Sequence, residues 1–300
     1  MPAADPTSSG PPSSLRGGRL DRVPAPALFL VSGLTLYLGA AVAVGLFETL
    51  GAPTVSWWRI VLAAVVLLAW RRPWRRRWTR ADLGHAALFG IALSAMNIVF
   101  YVAIDHLPLG VAVALEFTGP VAVAAITGRG WRERGAILVA AVGVVLLAGI
   151  TLDGDVPRDD VVIGLVAVFC AAACWAGYIV LGKRVAGGGS GFDGLAVGMA
   201  AGALVFAPFF GGSVVTVVPD VGLLAFLLVV AICSSVVPYV LDQVVLRRVG
   251  TATFAVLLAL LPATATAVGA VVLAQVPSWP ELVGLAFVSG AIAMTATGRD

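Results

Sequence analysis

A chain of 300 residues with 60% hydrophobic and only 12% charged residues holds half the charge of an average soluble domain, which carries roughly 25%. Its mean hydropathy of +1.02 leaves too little polar surface to cover a globule in water, so the chain is an integral membrane protein. The formal net charge is +3, and the arginines cluster between apolar runs rather than along one face, which excludes a nucleic-acid footprint.

Residues 1–24 are rich in Pro, Ser, Gly and Ala and read as a disordered cytoplasmic tail. They hold no apolar core of a signal peptide, so targeting is expected from the first span. A membrane helix needs about 20 mainly apolar residues. Ten runs are expected to cross, at 26–46, 54–70, 83–104, 108–127, 135–151, 161–182, 194–212, 220–241, 251–273 and 281–298. No series of short segments alternates with period two, which removes a β-barrel. The expected fold class is an all-α membrane protein of ten transmembrane helices.

Lys and Arg set the orientation. With the N-terminus in the cytoplasm, 17 of the 19 basic residues fall inside, the exceptions being Arg158 outside and Arg59 within a span. The outer loops carry Glu48, Asp105, Asp153, Asp155, Asp159, Asp160, Asp220 and Glu281. Both termini are then cytoplasmic. Trp57, Trp58 and Trp279 are expected at the outer interface, and Trp70, Trp74, Trp78 and Trp131 at the inner one. The acidic linker 152–160 separates two five-span halves, 25–151 and 161–298. Five is odd, so corresponding loops exchange sides. The loop holding Asp105 and His106 is acidic, and its counterpart holding Arg247 and Arg248 is basic. That is the pattern of an inverted-topology repeat, whose site is expected between the halves near the midplane.

Glu116 is the centre of this reading. It sits in an apolar run, Leu107 to Thr127, where a charge costs roughly 2.5–3.5 kcal/mol on insertion scales and so faces a bundle interior or a wet cavity. Pro120, four residues on, removes the N–H that would bond the Glu116 carbonyl, so the helix should kink there; Pro262 takes the matching place in span nine. Against this stands a protonated Glu hydrogen-bonded to a neighbouring helix. Arg59 is the other ionisable group within a span. At 1.5 Å rise per residue its depth differs from that of Glu116 by roughly 5 Å, so the two could pair; equally, Arg59 could snorkel to the headgroups. Asn97 and Tyr101 are spaced i,i+4 on span three, Ser235, Tyr239 and Gln243 likewise on span eight, Trp175 and Tyr178 i,i+3 on span six, and Tyr37 lies mid-span one. Buried Tyr and Trp need partners; a shared polar cavity or separate helix–helix hydrogen bonds would supply them.

Cys170, Cys174 and Cys233 are odd in number and unpaired in spacing, and read as buried small hydrophobes. His85 and His106 lie at opposite predicted faces and cannot share a metal. Gly189 to Gly194 fits G-x-G-x-x-G on a loop with no preceding strand, and reads as a linker. Gly198-Met-Ala-Ala-Gly202 points to close helix packing. Arg71 to Arg80 reads as a topology anchor on anionic lipid.

The stretch Leu107-Pro-Leu-Gly-Val-Ala-Val-Ala-Leu-Glu-Phe-Thr-Gly-Pro120, after Asn97-Ile-Val-Phe-Tyr101, resembles the EamA-type repeat of the drug/metabolite transporter superfamily, and within it the threonine/homoserine exporters of the bacterial inner membrane. Ala173-Cys-Trp-Ala-Gly-Tyr178 and Arg248-Val-Gly-Thr-Ala-Thr-Phe254 resemble the second such repeat. One departure is Leu258-Ala-Leu-Leu-Pro262, where an acidic or polar residue would be expected before the second proline; it leaves Glu116 without a paired carboxylate. The resemblance implies a secondary transporter exporting small amino acids, or related metabolites, by alternating access. Its partners are a small-molecule substrate, membrane lipid and a proton as a candidate coupling ion, with no cofactor, metal or nucleic acid. The alternatives are an exporter of an unrelated drug or metabolite and an intramembrane enzyme acting on a lipid-like substrate. The latter needs clustered carboxylates or His ligands at one interface, and no Asp-x-x-x-Asp or His-Glu-x-x-His occurs.

Overall fold

A computed structural model describes residues 23–127, 131–153, 157–185, 191–249, 254 and 257–296, a few side chains inside those helices excepted. Everything regular in it is helical. In chain order the helices are α1 (Ala25–Val44), α2 (Phe47–Leu50), α3 (Ala52–Arg71), α4 (Arg80–His106), α5 (Leu109–Glu116), α6 (Thr118–Thr127), α7 (Trp131–Asp153), α8 (Arg158–Val185), α9 (Gly191–Phe210), α10 (Val214–Val217), α11 (Val221–Ala231), α12 (Val237–Arg248), α13 (Leu261–Val272) and α14 (Trp279–Ala296). Among the described residues, six helical stretches are long and apolar enough to cross a membrane: Ala25–Val44, Ala52–Arg71, Arg80–His106, Arg158–Gly177, Gly191–Val217 and Val221–Asp242. Shorter apolar helices cover Leu109–Ala124, Arg134–Gly149, Leu261–Val272 and Trp279–Thr295.

Local chemistry sets the ends. Thr79 Oγ1 accepts from the Asp82 N–H at 3.1 Å to start α4, and Asp220 Oδ1 accepts from the Leu223 N–H at 2.9 Å to start α11; each satisfies one of the N–H groups left free at a helix start. Ser278 and Glu281 cap each other before α14: the Ser278 N–H donates to Glu281 Oε2 at 2.6 Å, and the Glu281 N–H to Ser278 Oγ at 3.4 Å. This is the reciprocal box that Ser-x-x-Glu spells. Arg72, at φ 50°, ends α3 in the left-handed conformation, and Pro73 prevents its continuation.

The two halves of the chain interleave. Helix α4 packs on α8 and α9, α3 on α9, and α1 on α12 and α13, while α7 lies along α14. Small residues allow the closest of these approaches. A Cβ on Gly198 would stand 2.7 Å from the Ala86 carbonyl oxygen, and one on Gly202 would stand 2.9 Å from that of Gly90. The Gly198–Gly202 motif is thus used within the chain, against α4. The core runs through Phe29, Tyr37, Val55, Tyr101, Leu109, Leu115 and Phe117. Large apolar side chains such as Leu138, Val145, Leu204, Phe209 and Val271 point outward with 70–85% of their surface exposed. An outer belt of that kind suits lipid and not water.

Two expectations need correcting. Trp57 and Trp58 do not lie in an interfacial belt; both are buried. Their indole N–H groups are fixed internally, Trp57 donating to the Ala203 carbonyl at 2.9 Å and Trp58 to Ser213 Oγ at 2.8 Å. Nor are the cysteines buried small hydrophobes: Cys170 is exposed on the outer face of α8, and Cys174 and Cys233 are half-buried. Helices α11 and α12 also depart from one regular span, because residues Ile232–Val236 form a π-helical turn between them. Pro238 follows and cannot donate a backbone bond to that turn.

Candidate functional site

The helices surround a cavity of about 310 Å³, walled by α1, α3, α4, α5, α6, α8, α9, α12 and α13 with Phe254 and Leu258. The polar groups it gathers are Tyr37, Arg59, Asn97, Glu116, Tyr239 and Asp242, with the Trp175 indole beside them. Each arrives for a local reason. Residues 109–116 are helical up to Glu116, and Phe117 (φ −65°, ψ −11°) interrupts the helix before α6 begins. The interruption is narrow. The Phe117 N–H still reaches Val113 O at 3.3 Å and the Val121 N–H reaches Phe117 O at 3.1 Å, while Pro120 brings no N–H for the Glu116 carbonyl. Thr118 Oγ1 donates to the Leu115 carbonyl at 2.6 Å. Pro120 itself lines the cavity. Pro262 stands in the first turn of α13, just after the turn at Ala259 and Leu260.

Arg59 is buried, 2% exposed, and neutral groups of α4 hold it. One guanidinium nitrogen donates to Tyr101 Oη at 3.1 Å and another donates to Asn97 Oδ1. Its guanidinium carbon also lies 4.6 Å from the centre of the Tyr101 ring, a cation–π contact. The i,i+4 spacing of Asn97 and Tyr101 thus places both on the helix face that receives the arginine. Asn97 spends its own N–H bonds on the Leu93 carbonyl, 2.7 Å, and on Tyr239 Oη, 3.5 Å.

Among the described residues no ion pair joins Arg59 to Glu116. Nε of Arg59 and Oε1 of Glu116 are instead buried without a hydrogen-bond partner. Arg59 does not snorkel to the headgroups. Arg59 on α3 and Glu116 on α5 thus both line the cavity, and each keeps one atom covered by protein without a partner; unpaired buried polar groups of this kind are costly unless something else completes them.

The structure separates the remaining expected residues. Tyr37, Asn97, Trp175 and Tyr239 line the cavity with Arg59 and Glu116. Tyr101 does not: it is fully buried behind Arg59 and packs on Phe47, ring centres 5.6 Å apart. The Trp175 ring meets Phe117 edge-on at 4.6 Å, so the aromatic wall of α8 leans on the helix break. The side chains of Tyr178 and Gln243 lie outside the described residues.

Asp242 was not among the sequence-derived candidates. It is half-buried on α12, lines the same cavity, and accepts from Ser32 Oγ of α1 at 2.7 Å. A second carboxylate therefore shares the chamber with Glu116. The usable signal is its i,i+3 spacing from Tyr239, which puts both on one helix face. Among the described residues no cluster of His, Cys, Asp and Glu suits a metal ion.

The profile of the EamA-like transporter family matches residues 162–297. Across nearly the whole length, 273 residues covering 91% of both chains, the sequence is 34% identical to the threonine/homoserine exporter RhtA of Escherichia coli strain K12. It is 33% identical, over the same share, to the RhtA of Salmonella typhimurium strain SL1344. One crystal structure overlays with a TM-score of 0.54 over 90% of this chain and 96% of its own, at 19% identity, a likeness of fold.

Proposed function

This chain belongs to the EamA-like transporter family, and from that premise we propose that it is a secondary-active exporter of small hydroxylated amino acids, threonine- or homoserine-like, working by alternating access from the bacterial inner membrane. It is a multi-pass membrane transporter and not an enzyme. The six long and four shorter apolar helices are read together as ten spans in two inverted five-helix repeats, 25–151 and 161–298, joined by the linker 152–160, with residues 1–24 and the C-terminus in the cytoplasm. Single-cysteine labelling at Ser8, Asp155 and Arg299 tests this sidedness: the first and last should react from inside and the second from outside.

The observation that carries the substrate reading is the pair of unsatisfied poles in one cavity, Arg59 Nε and Glu116 Oε1. A zwitterionic amino acid supplies what each lacks, a carboxylate for the guanidinium and an ammonium group for Glu116. Arg59 is already oriented by Asn97 and Tyr101, so little ordering remains to be done when substrate arrives. The Tyr37, Tyr239 and Trp175 side chains form the surrounding wall, and the break between α5 and α6 lets the Glu116 end of the helix move relative to the rest. The relatives' names as threonine/homoserine exporters agree with this substrate class.

The test is radiolabelled threonine counterflow in proteoliposomes. Wild type should exchange threonine and homoserine well above protein-free vesicles, and Glu116→Gln, which keeps size and one acceptor but cannot ionise, should not. Equal exchange by wild type and Glu116→Gln would remove Glu116 from the substrate site. Exchange of a hydrophobic cation in place of amino acids would favour a general drug exporter.

A further inference from the structure

The substrate reading leaves one charged group of the chamber without a task. Asp242 reaches the cavity from α12, and the only hydrogen bond it receives from a described side chain is that of Ser32 Oγ on Oδ1, at 2.7 Å. Among the described side chains, the other titratable or charged groups around that space are Arg59 from α3, Glu116 from α5, Tyr37 from α1, and Tyr239 from α12 itself. Among them one guanidinium faces two carboxyl groups. With both carboxyls ionised the empty chamber keeps an uncompensated negative charge. Such a charge at membrane depth is costly, and a proton on one carboxyl cancels it.

We propose that Asp242 carries the coupling proton of the transport cycle, a role distinct from the substrate contacts of Arg59 and Glu116; this rests on the cavity being the transport site. Two features of the fold suit Asp242 rather than Glu116 for it. Ser32 Oγ lies 2.7 Å from Asp242 Oδ1 and 3.3 Å from the Pro238 carbonyl oxygen. Its single hydrogen serves the ionised carboxylate. When a proton neutralises Asp242, that hydrogen is free to turn to Pro238 while Ser32 Oγ accepts from the new acid. The change takes place beside the π-helical turn Ile232–Val236 and Pro238, where the helix ladder is already irregular and can shift register. Protonation of Asp242 thus alters the contact between α1 and α12 at a hinge. The balance is one proton for one substrate. An ammonium group arriving at Glu116 offsets that carboxylate's repulsion of Asp242, which then gives its proton to the cytoplasm, so the loaded chamber crosses with one negative charge, a step the inside-negative membrane potential favours; after substrate leaves on the outside, a proton from that side returns to Asp242 and neutralises the empty chamber for the return step. No other co-reactant is needed.

Two measurements test it, and they separate this proposal from the substrate reading. In pH-difference infrared spectra of the purified, substrate-free protein, wild type and Glu116→Gln should both show a protonated carboxylic acid band that Asp242→Asn lacks. In proteoliposomes, Asp242→Asn should still exchange threonine at saturating concentration, since the Arg59 and Glu116 contacts remain, yet bind it more weakly than wild type and lose threonine accumulation driven by a pH gradient. Asp242→Glu, which restores an ionisable group, should recover that drive. The proposal is overturned if the acid band survives in Asp242→Asn, if that variant still runs on the gradient, or if it loses exchange as completely as Glu116→Gln does. Should wild type fail to exchange threonine at all, the substrate reading falls, and the infrared band alone decides where the proton sits.

Discussion

Two stretches of the chain end on a proline that opens a helix, and they differ in what they bring to the chamber. Glu116-Phe-Thr-Gly-Pro120 and Leu258-Ala-Leu-Leu-Pro262 both reach it, and the residue four places before each proline lines it, Glu116 in one and Leu258 in the other. The position just before proline differs as well. A Cβ on Gly119 would run into the backbone of Ala172, standing 2.8 Å from its carbonyl carbon, whereas Leu261 is a large buried side chain of the cavity wall. One break is thus polar and pressed tightly against α8; the other is apolar and fills space. The second half of the chain keeps a carboxylate all the same, on a different helix: Asp242, held by Ser32. Having charge at one proline break and not at the other lets the two carboxyl groups answer to different partners, Glu116 to the arginine side of the chamber and Asp242 to α1.

The widest expected gap between the two breaks comes from removing that charge difference. Glu116→Gln should lower threonine exchange by roughly thirtyfold or more, because truncating one member of a desolvated charge contact costs about 2–5 kcal/mol. Leu258→Gln, at the corresponding place, should alter exchange by less than about threefold, since it adds a polar group to a wall that already meets the cavity. Counterflow rates at saturating and limiting threonine check both. A Leu258→Gln variant as impaired as Glu116→Gln would mean that the two breaks act as an equal pair.

Stability should read the second difference. Gly119→Ala forces a methyl against the α8 backbone, which cannot retreat as a side-chain tip can, and should cost about 1–3 kcal/mol. Leu261→Ala leaves a void at the cavity edge; the usual cost of Leu→Ala is about 2–5 kcal/mol, and here the low end is expected because one side of the side chain already faces open space. Detergent-solubilised protein followed by thermal unfolding would show both losses. Exchange should suffer more in Gly119→Ala than its stability loss explains, because α6 leans on α8 beside Glu116.

The contrast also shows what was legible before any coordinates. Glu116, Arg59, Asn97, Tyr37, Trp175 and Tyr239 stood out because ionisable groups, amides and amphipathic rings are expensive inside apolar runs, and that expense is written in composition alone. Depth and direction were less readable. A rise of 1.5 Å per residue put Arg59 and Glu116 near one level, yet the guanidinium turned to Asn97 and Tyr101, a choice of rotamer that spacing does not carry. Asp242 was less legible because an acid at the edge of the expected span, 220–241, reads as readily as a solvated helix end as a cavity group, although the helix itself runs on to Arg248. The π-helical turn at Ile232–Val236 left one trace in the sequence, Pro238. The burial of Trp57 and Trp58 left none, since an indole in an interfacial belt and an indole donating to a neighbouring helix read alike.

A smaller effect should follow from trimming the arginine cradle, and its two tyrosines should not respond equally. Tyr101→Phe removes the Oη that accepts from Arg59 at 3.1 Å but keeps the ring beneath the guanidinium. A hydrogen bond to a charged group contributes about 1.5–3 kcal/mol; with the ring contact retained and the cavity at hand to rehydrate the nitrogen, a net loss near 1 kcal/mol, about fivefold in threonine affinity, is expected. Tyr239→Phe removes only a 3.5 Å contact with Asn97 Nδ2, an amide already satisfied by the Leu93 carbonyl at 2.7 Å. Loss of so long a bond should change affinity by no more than about twofold. Titrating both variants with threonine, by tryptophan fluorescence in detergent, would order them. If Tyr239→Phe proved the weaker binder, its hydroxyl would be touching substrate directly, and the second half of the chain would contribute to recognition from α12 as well as from the wall.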